Sequence, residues 1–198
     1  ICFLAGGQAR RMGGGDKAFI KIGGLSILER QMRATCQHQL RLINANGQSE
    51  RFANFDLPVI KDCVEGFLGP LAGVLSGLEY VALHHSEIEW MVSCATDVPF
   101  FPEDLSEALH DARRREASEL AMVMSAGRTH PVFSLWPLTI APALRQALID
   151  EEIRKIDVFA LRYRVAYAVF DSQPDPFMNI NTPEDVRVAQ AWADFDER

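Results

Sequence analysis

The sequence predicts an α/β fold of three layers, α/β/α, with helices on both faces of a mostly parallel, Rossmann-like sheet. Two observations carry this expectation: short apolar runs alternate with segments of helical period along the chain, and the first run empties directly into a glycine-rich loop. Length supplies a third. With 198 residues, 48% of them hydrophobic and 24% charged, the chain can bury one substantial core, so residues 1–198 are expected to form a single domain.

Ile1 to Leu4 reads as the opening strand, and because it begins without Met, a short preceding segment is expected. The glycine-rich loop runs through Lys17, and Ala18 to Ile22 is a short extended piece before Gly23-Gly24. Ser26 and Glu29 form a capping-box pattern that opens a helix with Ile27, Leu28, Met32 and Cys36 at its apolar positions. Leu40 to Asn44 reads as a strand, and Val59-Ile60 as a brief one that delivers Asp62 into a loop. Pro70 suits the first turn of the next helix, whose apolar stripe is Leu71, Val74, Leu75, Leu78 and Ala82.

Glu89 to Ala95 has the character of a fully buried strand, and it stops at Thr96-Asp97-Val98-Pro99. Pro102 starts a helix; Ala121 to Ser125 and Pro131 to Trp136 are strands around the polar turn 126–129. Thr139 to Asp150 and Ile153 to Arg162 read as helices, Val165 to Asp171 as a strand, and Thr182-Pro183-Glu184-Asp185 as the start of the last helix.

Composition excludes several functions. A formal net charge of −7 argues against nucleic acid as a partner, because a broad footprint there needs clustered Lys and Arg. No apolar run approaches the roughly 20 residues that span a bilayer, so no membrane role and a cytoplasmic location are expected. Cys2, Cys36, Cys63 and Cys94 form no C-x-x-C pair, which points to buried, reduced thiols rather than a zinc site or a disulfide framework.

The chemistry concentrates in the first loop. Between Leu4 and Lys17 the chain places five glycines with Arg10, Arg11 and Lys17. Glycine lets backbone N–H groups approach an anion and the cations neutralise it, so the segment reads as a phosphate cradle. It is neither a P-loop, since Lys17 is followed by Ala18, nor a G-x-G-x-x-G dinucleotide turn. Asp97, at the carboxyl end of the strongest strand, stands where open α/β sheets hold ligands, and its carboxylate can bind magnesium or simply cap a turn. Asn179 and Asn181 flank Ile180 at strand spacing, which would point both amides the same way.

The run L-A-G-G-x-x-x-R-M-G-G-x-D-K resembles the opening signature of molybdenum cofactor guanylyltransferases. The resemblance continues through Asn44-Ala45-Asn46, Asp62, Gly69-Pro70-Leu71-Ala72-Gly73, Thr96-Asp97-Val98-Pro99, His130-Pro131 and Asn179-Ile180-Asn181-Thr182-Pro183-Glu184, nearly the whole chain. It implies that Leu4, Ala5 and Gly6 meet the guanine end of GTP, with Gly7, Arg11 and Lys17 near the phosphates. Asn44 and Asp62 would also contact the nucleotide, and Asp97 would hold Mg2+.

On the same footing, Asn179, Asn181, Arg154 and Lys155 would serve molybdopterin, so that the N-terminal part binds GTP and the C-terminal part the pterin. Arg154 and Lys155 read equally well as a solvated helix face, and His130 is given no catalytic role. The implied reaction transfers GMP from GTP to the phosphate of molybdenum-molybdopterin, with Lys17, Arg11 and Asp97 as the catalytic set. Implied protein partners are molybdenum-insertion proteins and apo-molybdoenzymes. Two rivals are a cytidylyltransferase for the same cofactor and a non-catalytic GTP-binding adaptor that delivers it. Gly6 and the N-x-N-T-P-E ending favour guanine, since the sister group usually reads L-A-A-G and D-x-D-T-P-E.

Overall fold

A computed structural model of the chain describes residues 1–6, 16–66 and 69–196. Among them, seven strands form one sheet: β1 (Cys2–Leu4), β4 (Leu42–Asn44), β5 (Val59–Ile60), β6 (Trp90–Ala95), β7 (Leu120–Ser125), β8 (Arg128–Pro137) and β9 (Val165–Phe170). A two-stranded ribbon, β2 (Lys21–Ile22) and β3 (Leu25–Ser26), stands apart. The spatial order is β5-β4-β1-β6-β8-β7-β9, and every pairing is parallel except the two that β8 makes. The mostly parallel sheet expected from the sequence is therefore present, with β8 as its one reversed strand.

Alternation along the strands sorts the helices into two layers. Phe3, Ile43 and Val92 face one side with Leu28 of α1 (Ile27–Ala34) and Leu105, Leu109 and Ala112 of α3 (Leu105–Glu116). Cys2, Leu4 and Leu42 face the other, packing with Leu71, Val74, Leu75 and Leu78 of α2 (Pro70–His84), Leu144 of α4 (Ala141–Ile149) and Phe159 of α5 (Ile156–Ala160). A third cluster joins Ile22 and Ile27 to Ile180 and to Ala189 and Ala193 of α6 (Pro183–Asp196). The last helix thus covers the ribbon that follows the glycine loop.

The helix starts follow the expected chemistry. Ser26 accepts from the Glu29 N–H at 3.2 Å while the Glu29 carboxylate accepts from the Ser26 N–H at 2.6 Å, the reciprocal capping box. Pro70 occupies the first turn of α2. At α6, Thr182 Oγ1 accepts from the Asp185 N–H while Asp185 accepts from the N–H groups of Asn181 and Thr182.

Helix α2 comes unusually close to the sheet. A Cβ on Gly73 would lie 2.3 Å from Asn44 Oδ1, and one on Gly77 2.8 Å from Met91 Sδ and 3.0 Å from Cys2 Sγ. Two glycines four residues apart put the bare face of α2 against β1, β4 and β6.

Three expectations need correction. The 126–129 turn is only two residues long: Ala126 and Gly127 both take positive φ, 46° and 70°, and Arg128 already pairs with Ser125. Two central residues with positive φ match the twist of adjacent strands, so the hairpin closes tightly. The helix expected from Ile153 begins at Ile156, because the Ile153 N–H bonds the Ala147 carbonyl and the Arg154 guanidinium reaches the Leu148 carbonyl, tying 153–154 to the end of α4. Of the four cysteines, all free, only Cys2 and Cys94 are buried; burial pushes the Cys2 thiol up to about 12 and raises that of Cys94.

Candidate active site

The strands β1, β4 and β6 end side by side, and a cleft of about 410 Å³ opens at their carboxyl ends. Leu4, Gly6, Lys17, Asn44, Asn46, Asp62, Gly69, Pro70, Ala95, Thr96, Asp97 and Val132 line it. Chain order reverses here, β4 and β5 lying to one side of β1 and β6 to the other, which is the position where open α/β sheets accept ligands.

Lys17 stands at the centre of the arrangement. Its Nζ donates to Asp97 Oδ2 at 3.2 Å and to Asn181 Oδ1 at 2.5 Å. Residues 80 and 164 positions away in sequence therefore meet on one ammonium. Both partners of the ion pair remain in reach of water, their side chains 18% and 22% exposed.

The turn that carries Lys17, a 3-10 helix from Lys17 to Phe19, is capped by Asp16, which accepts from the Ala18 N–H at 3.1 Å and pairs with Arg51 at 3.2 Å. Burial raises the Asp16 carboxyl above its ordinary value even though the Ala18 N–H and Arg51 pull the other way. Phe19 stacks on Phe52 with ring centroids 5.4 Å apart, which fixes the turn from beneath.

Asp97 follows β6 in a turn held from several sides. Thr96 Oγ1 donates to the Leu4 carbonyl at 3.3 Å, and the Ile180 N–H donates to the Asp97 carbonyl at 2.7 Å. From α1, Gln31 Nε2 donates to the carbonyls of Ala95 at 2.7 Å and Val98 at 2.8 Å.

On the other wall, Asp62 is held by two amides. Asn44 Nδ2 donates to Asp62 Oδ1 at 2.9 Å and Asn46 Nδ2 to Asp62 Oδ2 at 2.7 Å, while the Asp62 N–H donates to Asn46 Oδ1 at 3.0 Å. The carboxylate is thus aimed, with lone pairs left over.

Other expected residues sit differently. Ala5 is buried in the core behind the cleft, and its N–H is taken by the Asn44 carbonyl at 2.8 Å. Residues 179–181 form no strand: Ile180 is fully buried, Asn181 reaches Lys17 and Asn179 is exposed. The Arg154 guanidinium lies on the carbonyls of Leu148 and Ile153, and its own carbonyl would be 3.6 Å from a Cβ on Gly69, at the cleft wall. Lys155 is exposed with extended backbone ahead of α5. Gly7 and Arg11, with the rest of 7–15, lie outside the described residues.

Sequence reading overlooked Gln31 and quoted Thr96 and Asn46 only within motifs. A polar residue on the inner face of α1, between the buried Ile27 and Leu28 and the buried Thr35, was the available signal for Gln31.

Comparison with known proteins gives this cleft its context. The MobA-like NTP transferase domain family matches residues 1–163. The chain is 50% identical to molybdenum cofactor guanylyltransferase of Rhodopseudomonas palustris strain BisB5, over 98% of this chain and 94% of the relative. It is 46% identical to the protein of that name from Nitrobacter hamburgensis strain DSM 10229, over 98% of this chain and 93% of the relative. The chain belongs to the molybdenum cofactor guanylyltransferase family.

Its fold is shared by the molybdopterin-guanine dinucleotide biosynthesis protein A of Archaeoglobus fulgidus, with a TM-score of 0.79, 24% identity and 98% of both chains covered. For a member of this guanylyltransferase family, the cleft is polar in a particular way. Among its described lining residues are two carboxylates, Asp62 and Asp97, and one ammonium, Lys17, which pairs with Asp97. A triphosphate entering it needs further positive charge.

Proposed function

We propose that this chain transfers GMP from GTP to the terminal phosphate of molybdenum-molybdopterin, releasing pyrophosphate. The observation that carries the reading is the meeting of Lys17, Asp97 and Asn181 at the edge of one cleft. The guanylyltransferase relatives support the choice of nucleotide and acceptor. GTP would lie along the ends of β1 and β4, with Leu4, Gly6, Asn44 and Asp62 beside it, and Gly7, Arg11 and Lys17 toward the phosphates. Molybdopterin would approach from the side of Asn179, Asn181, Arg154 and Lys155.

Mg2+ fits the donor set. The Asp97 carboxylate, partly exposed at the cleft and bonded to Lys17 through Oδ2, is the hard oxygen donor that this ion prefers. Asp97 would hold the ion, which when bound supplies charge neutralisation on phosphate oxygens.

In the reaction, a phosphate oxygen of molybdopterin forms a bond to the α-phosphorus of GTP and the bond from that phosphorus to the bridging oxygen of pyrophosphate breaks. The attacking oxygen is already ionised at neutral pH, so no protein base is required. The work of the chain is positioning and charge balance. Lys17 places an ammonium where negative charge gathers on the departing pyrophosphate, and the Asn44–Asp62–Asn46 network fixes the nucleotide end. Molybdenum-insertion proteins and apo-molybdoenzymes would be the donors and recipients of the cofactor.

The test is direct. The protein is incubated with Mg2+, equal GTP and CTP, and molybdate-loaded molybdopterin, and the product is identified by mass spectrometry. A GMP adduct with stoichiometric pyrophosphate is expected. A CMP adduct would reassign the base, and GTP binding without pyrophosphate release would leave a delivery adaptor in its place.

A further inference from the structure

We infer that Gln31, in the middle of α1, is a positioning residue for Asp97. Its side chain is not needed where it lies for packing alone. Gln31 is 1% exposed among Ile27 and Leu28, and an apolar residue of the same volume would fill that space. An amide here must instead find partners or suffer the cost of its desolvation.

The partners it finds are the two carbonyls that bracket Thr96-Asp97. Gln31 Nε2 uses both hydrogens, one on the Ala95 carbonyl at 2.7 Å and one on that of Val98 at 2.8 Å. Meanwhile Oε1 is buried with no partner among the described residues. An amide that leaves its acceptor unmet in order to place both donors on one turn is held there by the turn. Together with the Thr96 hydroxyl on the Leu4 carbonyl and the Ile180 N–H on the Asp97 carbonyl, Gln31 completes a set of bonds to each of the four residues from 95 to 98. The backbone of the turn is thereby fixed, and the Asp97 carboxylate is delivered to the point shared with Lys17 and Asn181.

Removing the two donors leaves the carbonyls unpaired, lets the turn relax away from α1 and misplaces the carboxylate. Supporting bonds behind a metal ligand are worth about 10–100-fold in metal affinity. The inference rests on the reading of Asp97 as the magnesium-holding group, and its test separates the two.

Mn2+ is titrated by electron paramagnetic resonance into the protein with GTP but no molybdopterin, so that no turnover intervenes. Wild type, Gln31→Met, Gln31→Glu and Asp97→Asn are compared, each with its thermal melt. Gln31→Met is expected to weaken Mn2+ by about tenfold while keeping a cooperative melt, and Gln31→Glu, which keeps the shape but as a carboxylate offers the two carbonyls no donor, to weaken it at least as much. If Gln31→Met does not fold, Gln31→Glu carries the comparison. A role in packing alone would lower the melting temperature and leave Mn2+ affinity within twofold of wild type; with Asp97→Asn still strongly weakened, that result overturns the role of Gln31 and leaves Asp97 intact. Unchanged affinity in Asp97→Asn would remove the metal reading itself, and the inference with it.

Discussion

The Lys17 ammonium is bonded to a carboxylate and an amide oxygen at once, which ties the side chain to the place where phosphate charge would be balanced. Lys17→Met should lower kcat by about 10²–10³-fold, the range seen when one preorganised donor to developing charge is lost. Asp97→Asn should act similarly, and because the two groups serve one point, the double variant should cost far less than the product of the singles. Pyrophosphate release under saturating GTP measures all three. Full magnesium-dependent activity in Asp97→Asn would refute the assignment. Ala5, in the same opening signature, has its N–H on the Asn44 carbonyl and its side chain in the core. The Arg154 cation, for its part, serves carbonyls near the end of α4.

Helix α2 controls the cleft wall through its contact with the sheet. Gly73→Ala would drive a methyl into Asn44 Oδ1, 2.3 Å away, and Asn44 is the buried amide that aims Asp62. Overpacking of this kind costs about 1–3 kcal/mol, so a lower melting temperature is expected together with a raised KM for GTP. The outer face of α2 offers a milder test. Glu79 meets Arg145 of α4 through two bonds, 2.7 and 2.6 Å, and this pairing holds the Glu79 carboxyl below its ordinary value of 4.5. A depressed carboxyl stabilises the fold above the unfolded value, and that contribution disappears as pH falls through the lower folded value. Because both side chains meet water, about 1 kcal/mol or less is at stake. Wild type should therefore exceed Glu79→Gln in urea-derived stability at pH 7 by that margin and converge with it as pH falls below 4.5 and through the lower folded value.

At the scale of the molecule, three distant stretches of chain have to close on one cleft, and α6 performs the last closure. Ile180 is fully buried against Ile22, Ile27, Ala189 and Ala193, and its N–H bonds the Asp97 carbonyl, so Asn181 reaches Lys17 only when α6 is docked on the ribbon. Ile180→Ala should cost about 2–5 kcal/mol as a buried large-to-small change and reduce turnover beyond the fraction unfolded, measured by melting and pyrophosphate release on the same sample. Turnover that simply tracks the folded fraction would show that the docking does not matter to the site. The sequence alone determined the mostly parallel sheet, the Ser26–Glu29 capping box and the starts of α2 and α6, because periodicity and caps are local physics read within a few residues, whereas Lys17, Asn44, Asp62, Asp97 and Asn181 were candidates that the glycine loop, the strand ends and the family resemblance pointed to together. The tertiary structure decided what those residues do to one another: that Asn44 and Asn46 grip Asp62, that Gln31 brackets the Asp97 turn, that 153–154 bonds to the end of α4 instead of continuing a helix, and that 179–181 follows Asp97 without forming a strand. Each of these is settled by hydrogen bonds and close packing between segments tens of residues apart, and spacing along one chain carries no record of which distant carbonyl a buried amide will meet.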